Sequence, residues 1–249
     1  MSLQPLLVFD FDGVLVDGMR EYWCCARRAA LFLAPSCQLP ELAPDAFAAL
    51  RPLIHKGWEM VLVALELSRS DLDVAHYLSN YDGHTQAARE RWGFSPDQLQ
   101  SALEDLRSDA IQADPAAWRA LHSPYPGIPE RLRALEAEGS PWLVLTTKGG
   151  AFARELLSGY GLQPQAVYGH EHGSKPEVLL RLKEQGRPLW FVEDRRITLE
   201  TVRLTPGLDA VRCFLVSWGY LGPQDRQELP NGIQLLEPTQ FQQPLADWP

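Results

Sequence analysis

The sequence lacks any pair of cysteines at C-x-x-C spacing, and none of its four cysteines, Cys24, Cys25, Cys37 and Cys213, has a histidine at a spacing suited to zinc. Nothing therefore points to a disulfide framework or a structural zinc site, and the thiols read as reduced and mostly buried. Basic charge is also short. With 23 Lys and Arg against 32 Asp and Glu, the net charge is −9 and the pI is near 5.2. Both nucleic acid and anionic membrane need a basic face, so neither is an expected partner. An anionic substrate would need local positive charge from a metal, a lysine or a helix N-terminus. No stretch approaches the ~18 uninterrupted apolar residues of a membrane span, no internal repeat is visible, and no signal-type segment can form before Asp10 and Asp12. The expectation is a cytoplasmic protein.

At 249 residues, 45% hydrophobic and 10% aromatic, the chain can bury a sizeable core as one large domain or two smaller ones. Its most informative stretch is Asp10-Phe11-Asp12-Gly13-Val14-Leu15-Val16-Asp17, which follows the apolar run Leu6-Leu7-Val8-Phe9. A continuous apolar run reads as a buried parallel strand, and open α/β sheets bind ligands beyond the carboxyl ends of their strands. Strand periodicity starts Asp10 and Asp12 on the same side, and Gly13 permits a sharp turn after them. Two carboxylates so close repel each other unless a cation intervenes. Magnesium, which takes oxygen ligands and keeps positions open for water and phosphate, suits that place. A bare Asp-x-Asp-Gly is more often an ordinary strand-closing turn, so the rest of the chain has to decide.

The next strand candidate is 141–146, ending at Thr146, preceded by a helix signal at 128–136 and a stop at Gly139. Far more chain separates Asp10 from Thr146 than the ~30 residues of a βαβ unit. A large insertion is implied, covering 18–124 and reading as helical throughout, with helices expected at 19–34, 44–66, 70–79, 83–92, 95–112 and 114–121. Asp45 after Pro44, and Ser95 with Gln98, mark helix starts. Beyond Thr146, strand and helix alternate: helix 150–159, strand 166–168, helix 175–185, strand 188–192, helix 197–204 and strand 211–217. The tail from Gly222, rich in Pro, Gln and Asn, is expected to be irregular with one short helix at 238–242.

Several polar groups fall where such a sheet would present them beside Asp10. The Thr146 hydroxyl, with the backbone N–H groups of Thr147 and Lys148, suits a phosphate oxygen. Lys175 follows Ser174, with Glu177 completing a capping box, and so sits in a helix's first turn, against the dipole. It is either a solvated lysine or one held by an anion nearby. Glu193 and Asp194 end the strand 188–192 as Asp10 ends the first, and two acidic strand ends could converge on one metal.

The ordered set Asp10-x-Asp12-Gly13, an apolar strand ending at Thr146, Lys175-Pro176, and a strand ending in Glu193-Asp194 closely resembles the haloacid dehalogenase superfamily of hydrolases. The resemblance implies an α/β fold: a three-layered Rossmann-like core with a parallel sheet over 1–17 and 125–249, and an all-helical cap over 18–124. The cap position is that of the phosphoglycolate phosphatase and β-phosphoglucomutase subgroup. It further implies Asp10 as a nucleophile forming an aspartyl-phosphate and Asp12 as general acid and base. Thr146, Thr147 and Lys175 would hold the phosphoryl group. Asp10, the Asp12 carbonyl and Asp194 would hold Mg²⁺, with Glu193 supporting or ligating. Dehalogenases lack an acid at the position of Asp12, whereas a phosphate ester needs one to protonate its leaving group.

The chain departs from the family where Glu193 stands for the usual Gly, Thr198 for a later Asp, and Thr147 for the usual Asn; Arg195 and Arg196 are also unusual. Arg51, His55 and Lys56, with Gly57, Trp58 and Glu59, form a polar cluster about where related caps carry a specificity loop, and are the candidates for selecting substrate. Trp23, Trp58, Trp92 and Trp118 read as core, and Arg27 and Arg28 as a solvated face. The expected function is a Mg²⁺-dependent phosphatase, monomeric or homodimeric, acting on a small phosphorylated metabolite. The alternatives are a phosphosugar mutase of the β-phosphoglucomutase type and a catalytically weak phosphate-binding module.

Overall fold

The structure is a computed structural model that describes residues 4–249. Along the chain, β1 (Leu6–Phe9) and the short β2 (Val16–Asp17) precede the helices α1 (Met19–Leu33), α2 (Asp45–Leu50), α3 (Gly57–Leu67), α4 (Val74–Ser79), α5 (Tyr81–Trp92), α6 (Pro96–Ala113) and α7 (Pro115–Arg119). Next come β3 (Ser123–Pro124), α8 (Ile128–Ala137), β4 (Trp142–Leu145), α9 (Gly150–Gly159) and β5 (Val167–Tyr168). The chain closes with α10 (Lys175–Lys183), β6 (Leu189–Glu193), α11 (Arg196–Leu204), β7 (Arg212–Val216), β8 (Ile233–Leu236) and α12 (Pro238–Phe241). It divides into two compact units, one holding the residues up to Asp17 with Ser123–Pro249, the other Gly18–His122.

The first unit is built on a six-stranded sheet in the order β5-β4-β1-β6-β7-β8, with every neighbouring pair parallel. Strand periodicity sorts its side chains onto two faces. Leu6, Val8, Leu143, Leu145, Leu189, Phe191, Cys213 and Leu215 form one buried cluster with Val178, Leu179 and Leu182 of α10 and Leu199 and Val202 of α11. The alternate residues bury the opposite face in a run of rings: Phe9 meets Trp142 and Phe241, while Trp190 and Phe214 meet Trp248. A sheet buried on both faces explains why β1 and β4 read as unbroken apolar runs. The chain leaves β1 toward β4 and β5 on one side and returns through β6 on the other, so the strand order reverses at β1. Such a switch point opens a crevice beyond the strand ends.

β8 departs from the irregular tail that the composition implies: Ile233–Leu236 extends the sheet at its edge, paired with Cys213–Val216. Only Ile233 and Leu236 in it are buried, which leaves too short an apolar signal to stand out from the polar tail. A two-stranded ribbon of β2 and β3 pairs Val16 with Pro124 and Asp17 with Ser123, at the two points where the chain leaves for and returns from the second unit. Cys25 and Cys213 are buried, and Cys24 and Cys37 are half-buried.

The second unit packs α1, α3 and α6 against one another, burying Trp23, Ala26, Val61, Leu65, Leu99 and Leu103. Trp23 and Trp118 are core, while Trp58 and Trp92 are half-buried. The single helix expected over 44–66 is broken. Pro52 has no N–H to donate to the helix ladder, and the chain forms a 3₁₀ turn over Arg51–Leu53 and runs extended at Ile54 before α3 begins. Glu59 fixes the intervening loop by accepting from the His55 N–H and the Tyr81 hydroxyl, both at 2.8 Å.

Within this unit Glu21 and Arg107 are both buried and joined bidentately, at 2.6 and 2.9 Å, with His122 Nε2 3.8 Å from Glu21. Taking one partner of such a pair away costs far more than replacing both with apolar groups. Arg107→Ala is expected to lower stability by about 3–5 kcal/mol in urea unfolding, and the double variant Glu21→Leu/Arg107→Met to recover most of that loss.

Candidate active site

The register of the sheet builds the site. Phe9 pairs with Val192 across β1 and β6, and the Asp10 N–H donates to the Val192 carbonyl at 2.9 Å, so Asp10 and Glu193 leave neighbouring strands at the same level of the crevice. One ligand oxygen each from Asp10, Glu193 and Asp194 lie within 4.8 Å of one another, and all three residues are buried. Lys175, also buried, stands 3.0 Å from Asp10 Oδ1 and donates to Glu193 Oε2 at 2.6 Å. Its placement against the α10 dipole is thus matched by two anions. Pro176 in the first turn, and Glu177 accepting from the Ser174 N–H, fix the start of α10 and with it the lysine.

Glu193 is fully engaged: besides Lys175, its Oε1 accepts from the N–H groups of Asp194 and Arg195 at 3.2 and 3.1 Å. Asp194 Oδ2 accepts from the Tyr220 N–H at 2.8 Å. Burial, then Glu193, push the Asp10 carboxyl from 3.8 up to about 7 against the pull of Lys175. Burial likewise raises Glu193, with Lys175 opposing it. At Lys175 burial acts against the charged form, but Asp10 and Glu193 outweigh it and leave the ammonium more basic than usual.

Asp10 and Asp12 do not converge on one point through their side chains. Asp12 is partly exposed and lies 3.4 Å from the buried ammonium of Lys148, outside the three-carboxylate group. The loop 11–16 closes on itself, with the Gly13 N–H donating to Val16 and the Val16 N–H to Phe11. Gly13 has φ +88°, and a Cβ there would collide with the Asp194 carboxylate, so the position requires glycine twice over.

Thr146 is buried at the end of β4, and its hydroxyl accepts from the Lys148 N–H at 3.0 Å. That amide is therefore spent on Thr146, while the hydroxyl keeps its own hydrogen to donate. Thr147 is exposed. The first amide of α9, Gly150 N–H, is occupied by Glu171, 3.2 Å from both carboxylate oxygens. Arg196 is drawn away to Glu200 and to the carbonyls of Gln227 and Glu228. Arg51, His55 and Lys56 all belong to the second unit: the Arg51 guanidinium lies 4.8 Å from the centre of the Tyr22 ring, His55 Nε2 is 3.6 Å from Asp82, and Lys56 is exposed.

Three residues at the site were not singled out from the sequence. The sequence pattern points to the Lys148 amide, whereas the structure brings its side chain to Asp12; a lysine just beyond a strand end is the signal for it. Trp218 and Tyr220 follow β7: Trp218 Nε1 donates to the Val14 carbonyl at 3.0 Å, and the Tyr220 hydroxyl to Asp17 at 2.6 Å. No motif in the short segment between β7 and the polar tail marks them.

The carboxylates suit a hard divalent cation. Their donors are all oxygens, and Asp10 Oδ1 is sealed from solvent with no hydrogen-bond donor aligned on it despite the nearby lysine.

No family model matches the chain. Over 135 residues it is 30% identical to the N-acetylmuramic acid 6-phosphate phosphatase of Pseudomonas aeruginosa, a match covering 49% of this chain and 57% of that protein. The match thus spans little more than half the length of the relative. The fold is that of haloacid dehalogenase-type hydrolases. A predicted phosphoglycolate phosphatase from Haemophilus somnus superposes with a TM-score of 0.60 at 17% identity, covering 94% of this chain and 95% of that one. A haloacid dehalogenase-like family protein of Streptococcus pneumoniae does so at 0.54 and 18% identity, covering 93% of each. Among the described residues, no helix is long and apolar enough to cross a membrane.

The raised Asp10 carboxyl has a signed consequence for stability. Between about pH 4 and 7 the folded protein holds a proton that the unfolded chain has released, so the cation-free protein loses stability as pH rises through that window. Asp10→Asn removes the effect. In EDTA it is expected to be more stable than the parent by about 2–4 kcal/mol at pH 8, with the gain fading toward pH 4, as measured by urea midpoints.

Proposed function

We propose that this chain is a phosphatase of the haloacid dehalogenase superfamily, hydrolysing a small phosphorylated metabolite through an aspartyl-phosphate on Asp10 with Mg²⁺ as cofactor. The observation that carries the reading is the separation of two carboxylates into two surroundings. Asp10 is buried among Glu193, Asp194 and Lys175, while Asp12, two residues on, is partly exposed beside Lys148.

In this reaction the Asp10 carboxylate attacks phosphorus, and the bond from phosphorus to the ester oxygen breaks. Asp12 gives the leaving oxygen its proton, then takes one from the water that hydrolyses the acyl phosphate. Lys175 and the Thr146 hydroxyl offset the charge spread over the phosphoryl oxygens, and the exposed loop at Thr147 offers its amide. Asp10, Asp194 and the Asp12 carbonyl would hold the cation, with Glu193 holding Lys175 beside it. When bound, Mg²⁺ supplies charge neutralisation for Asp10 and the incoming phosphate. Arg51, His55 and Lys56 are the proposed selectors of substrate. The likeness to a phosphatase of a 6-phosphorylated amino sugar acid supports a phosphosugar as the first substrate class to try.

The test is phosphate release from a panel of phosphomonoesters, including N-acetylmuramic acid 6-phosphate, with Mg²⁺ present. Asp10→Asn is expected to abolish release, and Asp12→Asn to lower kcat by about 10²–10⁴-fold. Equal release by Asp10→Asn and the parent would refute the reading.

A further inference from the structure

The loop after β7 touches three parts of the site that lie far apart in sequence. Trp218 Nε1 reaches the Val14 carbonyl, the Tyr220 N–H meets Asp194 Oδ2 at 2.8 Å, and the Tyr220 hydroxyl meets Asp17 Oδ1 at 2.6 Å. The approach is close. A Cβ at Gly219 would strike both Asp194 and the Gly13 carbonyl, and one at Gly13 would lie 2.9 Å from the Tyr220 ring. Glycine at both positions lets one loop slide beneath the other until the Tyr220 amide reaches Asp194. Trp218 is anchored from behind by an edge contact with Phe241, 5.6 Å between ring centres. Asp17 is the last residue before the insertion and pairs with Ser123, the first after it.

We propose that Tyr220 is a positioning residue that ties the cation-site carboxylate Asp194 to Asp17 at the stem of the insertion, its amide fixing the rotation of one and its phenol the place of the other. The cation role of Asp194 rests on the function proposed above; the tie itself does not. A hydroxyl donating to a carboxylate is a charge-assisted bond, strong enough to hold the ring and so to keep the amide aimed at Asp194. Strain at either end then passes to the other through a single side chain. An ordered cation site favours an ordered stem, and the stem in turn favours the site.

The test uses Tyr220→Phe, which keeps the ring and the amide and loses only the phenol, together with Asp17→Ala and the double variant. In cation-free protein, hydrogen exchange of the amides at 15–18 is expected to quicken at least fivefold in Tyr220→Phe. Mg²⁺ titrated calorimetrically is expected to bind at least five- to tenfold more weakly to either single variant, and no more weakly to the double variant than to Asp17→Ala alone, because both changes remove the Tyr220–Asp17 bond. Unchanged exchange at 15–18 overturns the tie. So do additive losses of Mg²⁺ affinity, or no loss. If the parent binds no Mg²⁺, the cation reading fails instead, and the exchange measurement alone decides the tie.

Discussion

Three buried carboxylates crowd together beside one ammonium, which pairs directly with two of them, Asp10 and Glu193. Asp10, Glu193 and Asp194 are all buried, and Lys175 is the cation set among them. Buried like charges at this spacing do not coexist ionised without compensation. The protein meets part of that demand itself, since Glu193 takes Lys175 and two main-chain N–H groups. Asp10 is left as the group that holds a proton near neutrality. A divalent cation would remove the remaining conflict, and it would do so where phosphate needs positive charge. The same imbalance that costs stability in the cation-free chain would thus become the source of affinity for both cation and anion.

The sheet creates this crowding through its topology. Because β1 and β6 are neighbours at the point where strand order reverses, their acidic ends fall side by side although far apart in sequence. Their registers leave no freedom. A slip of one residue would carry Asp10 to the other face of the sheet, among the rings of Trp142 and Phe241. The aromatic packing that buries one face therefore also fixes which face receives the carboxylate.

Much of this was legible in the sequence where local chemistry and global placement agree. The apolar run ending at Asp10, the capping residues before α6 and α10, and the conflict of Lys175 with a helix dipole each have a physical meaning independent of the fold. What escaped depended on contacts between distant segments. β8 is half-exposed and earns its place by edge pairing, so periodicity gave no cue. Pro52 is a local signal for the break between α2 and α3 that the single helix expected over 44–66 leaves out. The roles of Lys148 and Tyr220 exist only because Asp12, Asp17 and Asp194 are folded against them.

The two lysines also explain how carboxylates two residues apart can serve opposite chemistry in the proposed reaction. A nucleophile has to be held still and to give up its proton: Asp10 is buried against Lys175, which favours its ionised form, and a bound cation would add the remaining pull. A group that both gives and takes a proton has to reach the leaving oxygen and then water. Asp12 keeps partial exposure and only the longer approach of Lys148, at 3.4 Å against 3.0 Å. Environments that differ this much across one dipeptide step are how a pair of identical acids comes to hold distinct roles. The turn at Gly13 makes the difference possible, because it carries the chain away from Asp12 while leaving space for Asp194 beneath it.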